Sequence, residues 1–292
     1  MNVAFIGLGT MGAPMAGHLL KSDCALRVYN RGAARAQQWS ERFGAPVSQT
    51  VAEAVAEADV VALCLGADED VRAMVSEHLL AHLKAGVVIV DHSTTSAALA
   101  RDMSALCDKQ QVAFIDAPVS GGQAGAEAGK LTVMAGGREE AFARIEPVLD
   151  GYAAKYRLVG ESGAGQLAKM VNQVCIAGLL QGLAEGIHLG QSAGLDMEAV
   201  LDTISGGAAQ SWQMDNRAST MLKGQYDFGF AVDWMRKDLG YVLDEARRQG
   251  ASLPVTALVD QFYAQVQQLG GGRNDTSSLL RALQSSLKGE QH

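Results

Sequence analysis

The sequence is poor in what disulfide-built, metal-clustered or nucleic-acid-binding proteins need. Its 292 residues hold four cysteines, Cys24, Cys64, Cys107 and Cys175, with no C-x-x-C spacing, so a disulfide framework or a thiolate metal site has too few ligands. No uninterrupted apolar run approaches the roughly 20 residues that span a bilayer, and no membrane partner is expected. Met1 to Ile6 reads as a buried strand rather than a signal peptide, which leads us to expect a reducing cytoplasm. Only 24 basic residues stand against 32 acidic ones, and a net charge of −8 has the wrong sign for a phosphate-backbone binder. His78 and His82 lie four apart without a third ligand, so no metal is expected. With 48% hydrophobic residues the chain is not disordered, and its length allows one large or two ordinary domains at about 150 residues each.

What is present divides near residue 160. Before it, short apolar runs at 2–6, 26–29, 60–65, 87–90, 113–115, 131–135 and 155–158 alternate with helical stretches at 33–43, 70–83 and 96–109. That alternation is the pattern of crossover units feeding a mainly parallel, doubly wound sheet. After Gly160-Glu161-Ser162-Gly163 the strand signal stops. Residues 164–193 carry apolar side chains at three- and four-residue spacing without proline, predicting one helix of roughly 45 Å, with further helices at 197–205, 231–249, 254–268 and 278–287. We therefore expect an α/β dinucleotide-binding domain over 1–162 and an all-helical domain over 163–292, with Gly270-Gly271-Gly272 as a flexible link before the last helix.

Gly7-Leu8-Gly9-Thr10-Met11-Gly12 is G-x-G-x-x-G, set between the first strand and the first helix. In that context Gly7 permits the tight turn, Gly9 lets backbone approach a pyrophosphate, and Gly12 lets helix and strand pack closely. The acid that would hold an adenosine ribose is missing after the second strand, where Asn30-Arg31 stands, with Arg35 one helical turn on. A guanidinium there suits a 2′-phosphate, so NADP is preferred and NAD kept open, against the alternative of solvated residues at a helix start.

Two further segments invite chemistry. Lys169 and Asn172 are three apart and share a helix face, with Gln173 on its edge and Leu167, Met170 and Val171 around them. A lysine so flanked is expected to be partly desolvated, a condition suited to proton transfer; by spacing alone, a solvated helical lysine is the commoner outcome. Asp116-Ala117-Pro118-Val119-Ser120-Gly121-Gly122 leaves a strand for a glycine-rich loop running through Gly125 and Gly129, whose N–H groups and Ser120 hydroxyl would suit a carboxylate, or which is a plain connection. His92 lies beside Ser93-Thr94, where it could border the cofactor or be a plain structural histidine, and His18, His188 and His292 show no partner by spacing. Ser211-Trp212, Phe228-Gly229-Phe230 and Asp233-Trp234 line a pocket or pack the helical domain.

Taken together, Gly7 to Met15, Asp91 to Thr94, Asp116 to Gly122, Gly163 to Asn172, Lys237-Asp238-Leu239 and Asp275 to Ser278 resemble, in order, the motifs of the β-hydroxyacid dehydrogenase family. The resemblance implies a Rossmann domain followed by an all-α domain, a long interdomain helix, and dimers or tetramers. It also implies that Lys169 passes the proton, that Ser120, Gly121 and Gly122 hold a substrate carboxylate, and that Asn172, with Gln173 beside it, orients substrate. Thr94, Lys237 and the Leu65-Gly66 loop would contact the cofactor. Two departures stand out: Leu65-Gly66 replaces the usual Leu-Pro, and Gln173 replaces a second Asn. Asn30-Arg31 is similar to the NADPH-using semialdehyde reductases of that family. An imine reductase-like enzyme and a catalytically silent nucleotide-binding module are the competing readings; the intact Lys169 argues against both.

Overall fold

The computed structural model describes residues 1–288, so His292 lies outside the described residues. The chain separates into two compact units, Met1–Lys169 and Met170–His292.

The first unit is built on an eight-stranded sheet. Strands β1 (Asn2–Ile6), β2 (Ala25–Tyr29), β3 (Val60–Leu63), β4 (Val88–Asp91) and β5 (Ala113–Asp116) run parallel in the order 2-1-3-4-5. Beyond β5 lies β7 (Leu131–Gly136), antiparallel both to β5 and to the two-residue β6 (Val119–Ser120), while β8 (Ala153–Gly160) pairs parallel with β7. Alternate residues feed two cores: Val3, Phe5, Val60, Ala62, Val88 and Val90 on one face, Ala4, Ile6, Val61, Leu63 and Ile89 on the other. Both faces are covered, which is why these strands read as unbroken apolar runs. Each large side chain so buried contributes about 1.5–3 kcal/mol.

The covering helices are α1 (Gly12–Leu19), α2 (Ala33–Phe43), α3 (Val51–Val55), α4 (Asp68–Ala73) continued by a π-helical stretch over Met74–Leu79, α5 (Ala97–Asp108), α6 (Gly122–Glu127) and α7 (Glu139–Leu149). Four differ from the sequence reading, α7 among them because no helix is expected there over 139–149. Helix α4 starts two residues early because Asp68, Glu69 and Asp70 complement its N-terminal dipole, and His82 falls beyond the helical stretch that carries His78. The expected glycine-rich loop is helix α6 from Gly122 on, and the Nε2 of His18 lies 3.1 and 3.0 Å from the carbonyls of Ala126 and Glu127 near its end. Helix α3, absent from the reading, is one and a half turns held by a Thr50/Glu53 capping box.

Helix α8 (Ala164–Ser192) begins in the first unit and continues through the second. Its 29 residues are long and apolar enough by composition to cross a bilayer, which corrects the expectation that no segment qualifies. The sequence conceals this because Gln166, Lys169, Gln173 and Gln181 interrupt the apolar run, yet all four are buried. Helices α9 (Met197–Ser205), α10 (Trp212–Leu222), α11 (Val232–Gln249), α12 (Pro254–Gln268) and α13 (Leu279–Lys288) complete the second unit. Arg236 on α11 forks onto Asp260 of α12 at 3.0 and 3.2 Å. The triple glycine is an ordered turn rather than a flexible link, closed by Gly271 N donating to the Val266 carbonyl at 2.9 Å.

Candidate functional site

Strand β1 delivers the chain into a turn that only glycine accommodates. Gly7 has φ +101°, and a Cβ there would overlap the carbonyl oxygen of Cys64; a Cβ at Gly12 would overlap that of Gly7. Gly9 faces open space, its nearest would-be neighbour being Arg35 Nη1 at 3.9 Å. The turn therefore has room for a ligand where the motif requires it, at the point between β1 and β3 where the sheet order reverses. Leu8 is buried, and its N–H donates to Asn30 Oδ1 at 2.9 Å, while Asn30 Nδ2 donates to the Gly32 carbonyl at 2.9 Å. Asn30 thus braces the turn from β2. Thr10 is exposed and Met11 half-buried at the mouth of the turn. Arg31 is 87% exposed, with Nη1 3.6 Å from Asp70 Oδ1; so exposed a pair is worth at most about 1 kcal/mol and is easily given up to a better anion.

Behind this turn lies a buried polar network that sequence reasoning missed. Asp91 ends β4, accepts from Ser93 N at 2.9 Å, and is pushed up to about 7 by burial against the pull of its Ser93 hydrogen bonds. Ser93 Oγ accepts from Leu65 N at 2.8 Å, tying the Leu65-Gly66 loop after β3 to the Thr94 loop after β4. Asp116 ends β5 with no exposed surface and accepts from Gly163 N at 2.7 Å, just ahead of α8, and from Gln166 N at 2.9 Å in its first turn. Burial raises its carboxyl to about 6, and the helix N–H bonds oppose that rise. Gln166 accepts from Thr95 N at 3.0 Å and donates to the Ser93 carbonyl at 2.8 Å. These residues sat inside motifs already singled out; what no spacing reveals is which strand end each would meet.

His92 lies in the core rather than at the ligand turn, with Nδ1 2.8 Å from the Ala117 carbonyl and Nε2 2.7 Å from the Tyr152 hydroxyl, and burial lowers it to about 4. Ser120 closes β6 half-buried; Gly121 (φ +131°) and Gly122 (φ +60°) turn the chain into α6. Lys169, three residues beyond Gln166, is 7% exposed. An ammonium so placed gives up water that only a specific site repays.

In the second unit Asn172 Nδ2 donates to Gln173 Oε1 at 2.8 Å, and Gln173 Nε2 donates to Asp238 Oδ2 at 2.7 Å. Lys237 Nζ lies 3.3 Å from Asp238 Oδ1 and 5.5 and 5.4 Å from the ring centres of Trp234 and Tyr241. Three expected site residues, Asn172, Gln173 and Lys237, are thus joined through Asp238. Gln173 is itself buried, with its amide engaged on both sides. The late motif has a structural explanation: Asp275 accepts from Phe230 N and Ser277 N at 2.9 and 3.0 Å and pairs with Arg217, whose guanidinium is sandwiched 5.0 Å from both Trp212 and Phe228.

Two family models cover nearly the whole chain: the NAD binding domain of 6-phosphogluconate dehydrogenase matches residues 2–160, and the NAD-binding region of NADP-dependent 3-hydroxyisobutyrate dehydrogenase matches residues 163–283. The chain belongs to the β-hydroxyacid dehydrogenase family. A Pseudomonas aeruginosa relative named NAD-dependent L-serine dehydrogenase is 33% identical, covering 94% of this chain and 95% of its own. Among solved structures, Mycobacterium tuberculosis 3-hydroxyisobutyrate dehydrogenase with L-serine superposes with a TM-score of 0.88 at 32% identity, over 97% of this chain and 98% of that one. Psf3 in complex with NADP+ and 2-OPP gives 0.86 at 31% identity, over 96% and 99%. As a member of this family of NAD(P)-dependent hydroxyacid dehydrogenases, the chain carries a dinucleotide cradle whose glycine clearances fit the cofactor.

Proposed function

We propose that this dehydrogenase uses NADP(H) to interconvert a small β-hydroxy acid and its semialdehyde or keto form, with Lys169 as general acid and base. The observation that carries the reading is a lysine kept 7% exposed three residues after the anchored start of α8. In reduction its ammonium donates a proton to the carbonyl oxygen; in oxidation its amine takes the hydroxyl proton. When bound, the nicotinamide supplies or accepts the hydride at the adjoining carbon. Ser120 Oγ and the N–H groups of Gly121 and Gly122 hold the substrate carboxylate, and Asn172, oriented by Gln173, aligns the reacting end. The N–H groups of the Gly7–Gly12 turn cradle the pyrophosphate, Arg31 and Arg35 reach the 2′-phosphate, and Thr94, the Leu65-Gly66 loop and Lys237 flank the rest of the cofactor.

The reading is tested by a turnover screen of glyoxylate, succinic semialdehyde, tartronate semialdehyde, 3-hydroxyisobutyrate and serine with both nicotinamides. Turnover of at least one with NADP(H) preferred is expected. Reduction of cyclic imines with none of these acids consumed would replace it with imine reductase chemistry, and NADPH binding without turnover of any compound would leave only a nucleotide-binding module.

A further inference from the structure

Gln166 has no exposed surface, and its whole side chain is committed to backbone. Its Oε1 accepts from Thr95 N at 3.0 Å and its Nε2 donates to the Ser93 carbonyl at 2.8 Å, so the amide grips the chain on either side of Thr94 as a neighbouring strand would. Ser93 Oγ in turn accepts from Leu65 N at 2.8 Å. The loops that leave β3 and β4 are therefore tied to one another and, through one side chain, to helix α8.

The same residue fixes the helix. Its own N–H donates to Asp116 Oδ2 at 2.9 Å beside that of Gly163 on Oδ1 at 2.7 Å. A Cβ at Gly165 would lie 2.5 Å from the Met134 carbonyl and would overlap that of Asp116, so backbone rests on backbone there. A helix held by these contacts cannot slide or turn about its start without breaking several directional bonds at once. Lys169 follows three residues later, roughly 4.5 Å along the axis and on the same side of the helix. A leucine of similar volume would fill the space Gln166 occupies, but it would fix no register between α8 and residues 93–95.

We propose that Gln166 is a positioning residue that couples the 93–95 segment to Lys169, so that the loop flanking the cofactor and the proton-passing amine are held in one register. The proposal rests on the reading of Lys169 given above. Its ligands are the chain's own groups, and the coupling exists before anything binds.

The test compares Gln166→Leu, Gln166→Glu and Lys169→Ala with wild type by backbone amide exchange of the ligand-free protein, NADPH fluorescence titration and steady-state turnover against pH. In Gln166→Leu, exchange at Thr95 and at the first turn of α8 should accelerate together by about tenfold or more. Its kcat should fall about 10–100-fold, the cost of a roughly 1 Å misplacement, while its NADPH Kd moves by less than about threefold. Gln166→Glu provides the sharper result. A protonated glutamate can donate to the Ser93 carbonyl and accept from Thr95 N, whereas its ionised form sets a charge against that carbonyl, so protection and kcat should both recover more steeply as pH is lowered than in wild type and Gln166→Leu, which share the background response of the neighbouring Asp91 and Asp116 carboxyls.

Wild-type exchange and kcat in Gln166→Leu alongside an inactive Lys169→Ala would overturn the coupling and leave the lysine's role standing. If Lys169→Ala turns over normally, the lysine reading fails by itself, and the exchange data still decide whether Gln166 joins the two segments. Should Gln166→Leu not fold, a pH response of exchange and turnover in Gln166→Glu no different from that of wild type would overturn the proposal.

Discussion

At the scale of single residues, burial in the sheet moves two carboxylates and one imidazole toward their uncharged forms. Asp91 is pushed up to about 7 by burial. Below about pH 4 it is protonated whether the chain is folded or not; as pH rises toward 7 the unfolded chain releases the proton and the folded one keeps it, so stability falls over that window. Asp116, raised to about 6, adds in the same sense. His92, lowered to about 4, acts the other way: its contribution is whole above about 6.5 and is lost as pH falls through 4. Asp91→Asn retains an acceptor for Ser93 N without the charge. Its stability relative to wild type should therefore improve between pH 5 and pH 8, on the order of 2–4 kcal/mol, read from thermal or denaturant melts; an equal difference at both pH values would show that Asp91 is not held protonated. Arg31 supports a second prediction. Because its contact with Asp70 is exposed and weak, Arg31→Ala should weaken NADPH by about 1–2 kcal/mol and leave NADH nearly unchanged in parallel titrations, and equal losses would remove Arg31 from phosphate recognition.

At the scale of elements, the inner strands were legible because both faces of the sheet are covered, leaving β1, β3 and β4 apolar at successive positions. The long α8 was legible from its spacing and lack of proline, and Met197–Ser205 and Pro254–Gln268 match the expected helices end to end. Short elements were not. Strand β6 has two residues and gains its identity from pairing Val119 and Ser120 with Val133 and Thr132. Helix α10 has a cap, Ser211 accepting from Met214 N, but this local signal is obscured by a polar, tryptophan-led stretch. In the candidate site, the glycine turn was readable because its function is stereochemical, whereas Asp116 and Gln166 were not, since their partners lie 47 to 73 residues away. The close rest of α8 on β5 and β7 makes its own prediction. Gly165→Ala forces a methyl against the carbonyls of Asp116 and Met134, backbone atoms with no freedom to yield. It should cost about 1–3 kcal/mol and lower kcat more than NADPH affinity; a melt and titration unchanged from wild type would mean that α8 is not seated there.

At the scale of the whole molecule, a dinucleotide cradle at one reversal of strand order and a buried lysine on α8 are parts of one chain, each made by residues far apart in sequence. Family membership assigns the class of reaction, and the residues that perform it are the account's own claim. That claim is tested most directly by Lys169→Ala, with NADPH affinity measured by fluorescence and turnover on whichever hydroxy acid or aldehyde the wild type accepts. The account predicts NADPH binding close to wild type and turnover reduced about 10²–10⁴-fold, the span of a lost general acid. Turnover at the wild-type rate in a folded, NADPH-binding variant would contradict it.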